Sequence, residues 1–198
     1  MLSGEFLQQK IKHIIFLIIG YLCLVSCGKD KETEVEYNEK IQDTFFGVKF
    51  GANKEDVVNG FAKDSLILIN ENATEILTFH KSWEDFINFG GLPWDFVNVH
   101  FDENKFYQII FCYGLDLKNT EMTLNHFNEV LSIVSEKYVL YEMPIQNEKT
   151  YKDYRGFSKN GKLIMILCGE FENKKGKNVN YVYLSYADET FCSFIDEL

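Results

Sequence analysis

Arginine is nearly missing from this chain: Arg155 is the only one among 20 basic residues. A lone guanidinium leaves little for two-pronged capture of phosphate or carboxylate, so a phosphate-rich ligand is not expected. Proline occurs twice, against 16% aromatic residues. That balance argues against a disordered stalk and for a packed domain with many strands. Basic residues as a class are outnumbered by 30 acidic ones, for a net charge of -10, which disfavours nucleic acid and anionic headgroups as partners. No His-Glu-x-x-His, Gly-x-Ser-x-Gly, Gly-rich phosphate loop or Cys-x-x-Cys pair occurs, so no motif announces a catalytic or metal centre. Long apolar runs are missing too. The longest, Ile14 to Val25, is far short of the roughly 20 residues that span a bilayer.

That short run is informative through its flanks. Lys10 and Lys12 precede it and Ser26-Cys27 follow it. A basic segment, a short apolar segment and a small residue before a cut describe a secretory signal over residues 1–26. Leu24-Val25-Ser26-Cys27 resembles the lipobox of bacterial lipoproteins. The resemblance implies a diacylglycerol on the Cys27 thiol, cleavage before Cys27 and acylation of the new amine. Several acyl chains, each CH2 contributing about 0.8 kcal/mol, would hold the protein on a membrane without a spanning helix. This covalent lipid is the only prosthetic group expected. Losing Glu5, Lys10 and Lys12 with the leader would take the net charge to -11.

Residues 27–40 read as the lipidated Cys and a charged tether, GKDKETEVEYNEK, with almost nothing apolar to bury. Asp30, Glu32 and Glu34 resemble the surface-export signal of lipoproteins from the Bacteroidetes, which implies an outer-membrane address on the periplasmic or outer side. Cys112, Cys168 and Cys192 remain beyond the anchor. One disulfide plus a free thiol is compatible with an envelope location, while apolar flanks favour Cys112 and Cys168 as buried small hydrophobes.

Residues 41–198 read as one α+β domain: an antiparallel sheet with two helices on one face, or two helix-plus-three-strand repeats, 41–114 and 115–198. Phe46–Phe50 reads as a strand. Asn53 caps a first helix with Val57, Val58, Phe61 and Ala62 as its apolar side. Ile76–His80 and Trp83–Phe89 read as strands. Residues 94–101 and 105–114 read as a hairpin around Asp102-Glu103-Asn104. Leu124, Phe127, Leu131, Val134 and Tyr138 recur at helical spacing over Thr120–Tyr138. Two strands follow about Asn160-Gly161, a strong hairpin signal, and then VNYVYLSYA. Gly51, Asn53, Val57, Trp94, Val99, Phe101 and Ile110 resemble the pattern of the small outer-membrane assembly lipoproteins and the beta-lactamase-inhibitor-like fold. The resemblance implies protein binding without catalysis.

Two function classes follow. The first is a non-catalytic binding or assembly module for an envelope protein or glycan. Its candidate residues are aromatic, with Tyr107, Phe111 and Tyr113 on one strand face and Tyr181 and Tyr183 on another, because tyrosine joins apolar area to a polar tip. The second is an envelope hydrolase or metal-dependent enzyme using His100, Asp102 and Glu103, since residues two apart on a strand share a face. Acidic residues are also ordinary in a hairpin turn.

Overall fold

The computed structural model describes residues 35–72, 75–82, 85–114, 120–145, 148–172 and 176–192. The signal segment, Cys27 and residues 28–34 lie outside them. From Tyr37 onward the chain packs as one compact unit.

In chain order the elements are β1 (Thr44–Phe45), β2 (Val48–Lys49), α1 (Lys54–Lys63), β3 (Ile67–Asn72), β4 (Ile76–His80), β5 (Ile87–Phe89), β6 (Leu92–Trp94), β7 (Phe96–Asp102) and β8 (Lys105–Tyr113). Then come α2 (Thr120–Ser135), β9 (Tyr141–Glu142), β10 (Thr150–Phe157), β11 (Lys162–Glu172), β12 (Asn178–Asp188) and a short 3-10 turn, Glu189–Phe191. Eight strands form one antiparallel sheet in the order β3-β4-β7-β8-β12-β11-β10-β9. The fold is α+β.

The order has an internal symmetry. Each half is a helix followed by an antiparallel meander that steps from an outer edge to the middle, where β8 pairs with β12. Each half contributes four strands to the sheet rather than three, because β3 and the two-residue β9 add an outermost strand. The first half also carries a small separate hairpin, β5–β6.

Both helices, the β1–β2 ribbon and the β5–β6 hairpin bury their apolar sides against one face of the sheet. The core there joins Val57 and Phe61 of α1, Phe127, Val130 and Val134 of α2, and Ile109, Ile164, Ile166 and Val182 of the sheet. Phe45 stands among Phe50, Phe89, Phe106, Phe111 and Tyr186 at centroid distances of 5.0 to 6.4 Å. Phe89 stacks on Phe111 at 4.0 Å. Packed rings of this kind add to the burial of their area.

The first helix starts where Asn53 predicts, with its side chain accepting from the Asp56 N–H at 2.9 Å. Other expectations need correction. Phe46–Phe50 is not one strand: Phe46 and Gly47 both have positive φ, 48° and 73°, and turn β1 back on β2. That two-residue turn matches the twist of a hairpin and sends Phe45 and Val48 into the core. Of Trp83–Phe89, a strand forms only at Ile87–Phe89, with residues 83–84 outside the described set; its partner is Leu92–Trp94. The second helix ends at Ser135, short of Tyr138. Its buried side is Thr123, His126, Phe127, Val130 and Val134, while Leu124 is exposed. Two polar residues at its N-terminal end, invisible to an apolar-stripe count, shift the face by about one residue.

The tether is also shorter than expected. Asn38 is buried. Its N–H donates to the Phe157 carbonyl at 2.8 Å, its side chain donates to the Val139 carbonyl at 3.1 Å, and its side-chain oxygen accepts from the Val139 N–H at 2.8 Å. It thus closes the β10 side of the sheet beside β9, and the folded unit begins before Ile41.

Candidate functional site

The other face of the sheet is the candidate site. Registers fix its rows. One runs Asp153, Leu167, Tyr183, Cys112, Phe96 from β10 to β7; the next runs Arg155, Met165, Ser185, Ile110, Asn98, Thr78; a third runs Phe157, Leu163, Ala187, Gln108, His100, Ile76. Strand side chains alternate between faces, so these point away from both helices. Cys112, Val179 and Ala187 are buried yet stand apart from the helix-side core. Met165, Leu167, Ile110, Tyr181 and Tyr183 are half-buried. Among the described residues no helix lies over this face.

The face is divided. Its β11–β12 part is mainly apolar and aromatic, flanked on β10 by the Asp153–Arg155 ion pair. Tyr181 stacks on Tyr183 at 4.4 Å and tilts toward Phe171 at 5.9 Å. It lies across Gly169 of β11, where an added Cβ would stand 2.6 Å from the Tyr181 hydroxyl and 2.4 Å from the Lys149 carbonyl oxygen. Only glycine lets the ring reach over the strand to Thr150, which hydrogen-bonds it. Burial pushes both phenols above the usual tyrosine range. The β4–β8 side is polar: Thr78 donates to Asn98 at 2.8 Å, and Gln108 donates to Ser185 at 3.0 Å.

The structure splits the first aromatic group. Tyr107 is the extra residue of a bulge, since Phe101 pairs with Phe106 and His100 with Gln108. A bulge reverses the alternation beyond it. Phe111 and Tyr113 therefore face the helices, where Phe111 is fully buried and Tyr113 stacks on His126 at 3.7 Å. Tyr107 remains on the other face, its ring 6.3 Å from His100. Tyr181 and Tyr183 share the open face as their spacing implies.

His100 sits mid-face on β7, and burial alone lowers its pKa. Glu103 lies in the β7–β8 turn with φ 47° beside Asn104 at 64°, the backbone of a two-residue hairpin turn. Among the described residues no group of three or more His, Cys, Asp or Glu could hold a metal ion. Cys112, Cys168 and Cys192 are unbridged; burial raises the Cys112 thiol well above its usual value and the Cys168 thiol to about 11, which leaves both as un-ionised hydrophobes. Arg155 is occupied by Asp153, donating from Nε at 3.2 Å and Nη2 at 2.8 Å.

No family model, no curated protein and no solved structure matches this chain. No helix among the described residues is long and apolar enough to cross a membrane.

Proposed function

We propose that this chain is a non-catalytic binding or assembly module of the bacterial cell envelope, anchored at the outer membrane by lipid on Cys27, and that it docks an envelope protein on the open face of its sheet. The observation that carries the docking reading is the part of the open face on β11 and β12, where Met165, Leu167, Tyr181 and Tyr183 keep part of their surface in water. Apolar and aromatic area of this kind, ringed by polar groups, is the usual make-up of a protein contact. A glycan fits less well. Sugars need an aromatic ring face, and Tyr181 stacks on Tyr183 with its hydroxyl end over Gly169. The anchor reading rests on the Leu24-Val25-Ser26-Cys27 box and its flanks. The likeness to small outer-membrane assembly lipoproteins supports the same role.

Two experiments test this. Metabolic labelling with a palmitate analogue should mark the wild type and not Cys27→Ala; equal label in both sinks the anchor. Affinity capture from membranes should retain a protein partner on the tagged wild type and lose it with Met165→Glu plus Tyr183→Ser. Retention by the double variant, with the same melting temperature, would remove the open face from the docking reading. Capture of glycan alone would replace the partner class.

A further inference from the structure

The two outer edges of the eight-stranded sheet are unlike. At one end β9 is two residues long, and its Glu142 accepts from Lys152 at 2.9 Å. A short, charged strand of this kind offers little to a further strand. At the other end β3 runs for six residues, Ile67–Asn72, with the sequence ILINEN. Among the described residues no strand pairs with its outer side. It has no lysine and no proline, and its one charged residue, Glu71, comes after the apolar run. A bulge between Leu68 and Asn70, on the ladder with β4, is the other guard against edge pairing that the strand has. Three consecutive residues stand in solvent: Ile67 is 51%, Leu68 37% and Ile69 48% exposed. Single exposed apolar residues are ordinary. A run of three along a bare edge joins apolar area to a row of backbone N–H and C=O groups, and an extended chain is what matches both.

The run is its own complement. Antiparallel pairing about a two-fold axis at Leu68 sets Leu68 against Leu68 and Ile67 against Ile69 of the copy, apolar against apolar at every central pair. The next pair outward is Leu66 with Asn70, so no charge meets its own kind within the run. Growth also stops at two. Pairing uses up β3 in both copies and leaves the blunted β9 at either end, so the contact is self-complementary and closed rather than fibre-forming. We propose that β3 of one copy pairs antiparallel with β3 of a second copy of this chain, so that their sheets continue into one another. One strand of backbone and three apolar side chains make a small contact, which places the dimer among weak, transient ones. Both copies are acidic and salt screens their repulsion, so salt should favour the pair. The edge is separated from β12 by β4, β7 and β8, and the inference stands whether or not the open face docks a partner.

The test is sedimentation equilibrium of the unlipidated chain from Gly28, which contains the whole compact unit. Wild type should pass from monomer to dimer between about 1 μM and 1 mM, and at lower concentration when salt is raised. Ile67→Lys plus Ile69→Lys sets like charges opposite each other and should weaken the dimer about tenfold or more at unchanged melting temperature. Ile67→Glu plus Ile69→Glu should do the same. An equimolar mixture of the two variants should restore a dimer that neither forms alone, which a merely damaged fold would not do. Met165→Glu plus Tyr183→Ser, on the open face, should dimerise like the wild type. A wild type that stays monomeric up to about 1 mM overturns the proposal, including the case in which β3 takes up an extended segment of another protein instead. An undiminished dimer in either β3 variant overturns it as well, as does a mixture that stays monomeric or a dimer lost in the open-face variant. If the paired substitutions unfold the chain, Ile67→Lys in one chain and Ile69→Glu in the other are read by the same criteria.

Discussion

On the helix side of the sheet Ile109, Ile164 and Val182 are fully buried. Their next neighbours along the same strands, Ile110, Met165 and Tyr183, face the other way and stay half-exposed. The residue types differ little between the two faces of β8 and β11. What differs is what lies above them. One face meets two helices, a ribbon and a hairpin; neither helix covers the other face. Period-two alternation tells which residues travel together, and it does not tell which set will be covered. That depends on where α1 and α2 return, a long-range property. An apolar set left half-covered is therefore better evidence for a docking surface than apolar composition alone.

The contrast should break first in stability. Phe111→Ala, in the ring cluster of the covered face, should cost about 3–5 kcal/mol, read by urea unfolding. Met165→Ala on the open face should cost under about 1 kcal/mol. Similar losses for both would mean that something covers the open face in the isolated protein. Along α2 the same test sharpens the corrected face: Phe127→Ala should fall with Phe111→Ala, and exposed Leu124→Ala should be near neutral.

The sheet's two edges offer the next comparison. A chain starting at Ile41 lacks Asn38 and leaves the Val139 and Phe157 backbone groups without their partner. It should be less stable than a chain starting at Gly28 by roughly 1–3 kcal/mol, a drop of several degrees in melting temperature. Equal melting would return Asn38 to the tether.

Within the open face, Gly169→Ala should cost about 1–2 kcal/mol, because its Cβ meets the Lys149 carbonyl and the Tyr181 ring. It should also change near-ultraviolet circular dichroism from the Tyr181–Tyr183 stack, and an unchanged spectrum would contradict the flat placement of Tyr181.

The smallest effect is acid sensitivity. Lys162 donates to Asp43 at 2.6 Å, and this bond holds the Asp43 carboxyl below its usual value. A carboxylate lowered by folding stabilises above its unfolded pKa of about 3.9, and that gain is lost as pH falls through the lower folded value. Asp43→Asn should thus lose less stability than wild type on acidification below about pH 4, and the two should run parallel above pH 6.

Much of this fold was legible in local pattern. Asn160-Gly161 and Asp102-Glu103-Asn104 mark their hairpins by turn chemistry, Asn53 marks a helix start by its cap, and the alternation of VNYVYLSYA places Tyr181 and Tyr183 on one face. The misreadings have physical causes. The Tyr107 bulge inserts one residue and moves Phe111 and Tyr113 to the opposite side, a change no period-two count can register. Phe46 takes a left-handed turn conformation that bulky residues rarely adopt, so a hairpin read as a strand. His126 is a polar residue buried between Tyr113 and Trp94, outside any apolar stripe. Asn38 docks through four hydrogen bonds made with residues over a hundred positions away, which charged neighbours in sequence conceal.

The central claim is that the open face docks a partner and the helix face does not. The most direct measurement places a photo-crosslinking residue at Leu167 or at Leu124 in the full chain and irradiates intact cells. The account predicts a discrete crosslinked protein from Leu167 and none from Leu124. Crosslinks from Leu124 alone, or the same products from both positions, would contradict it.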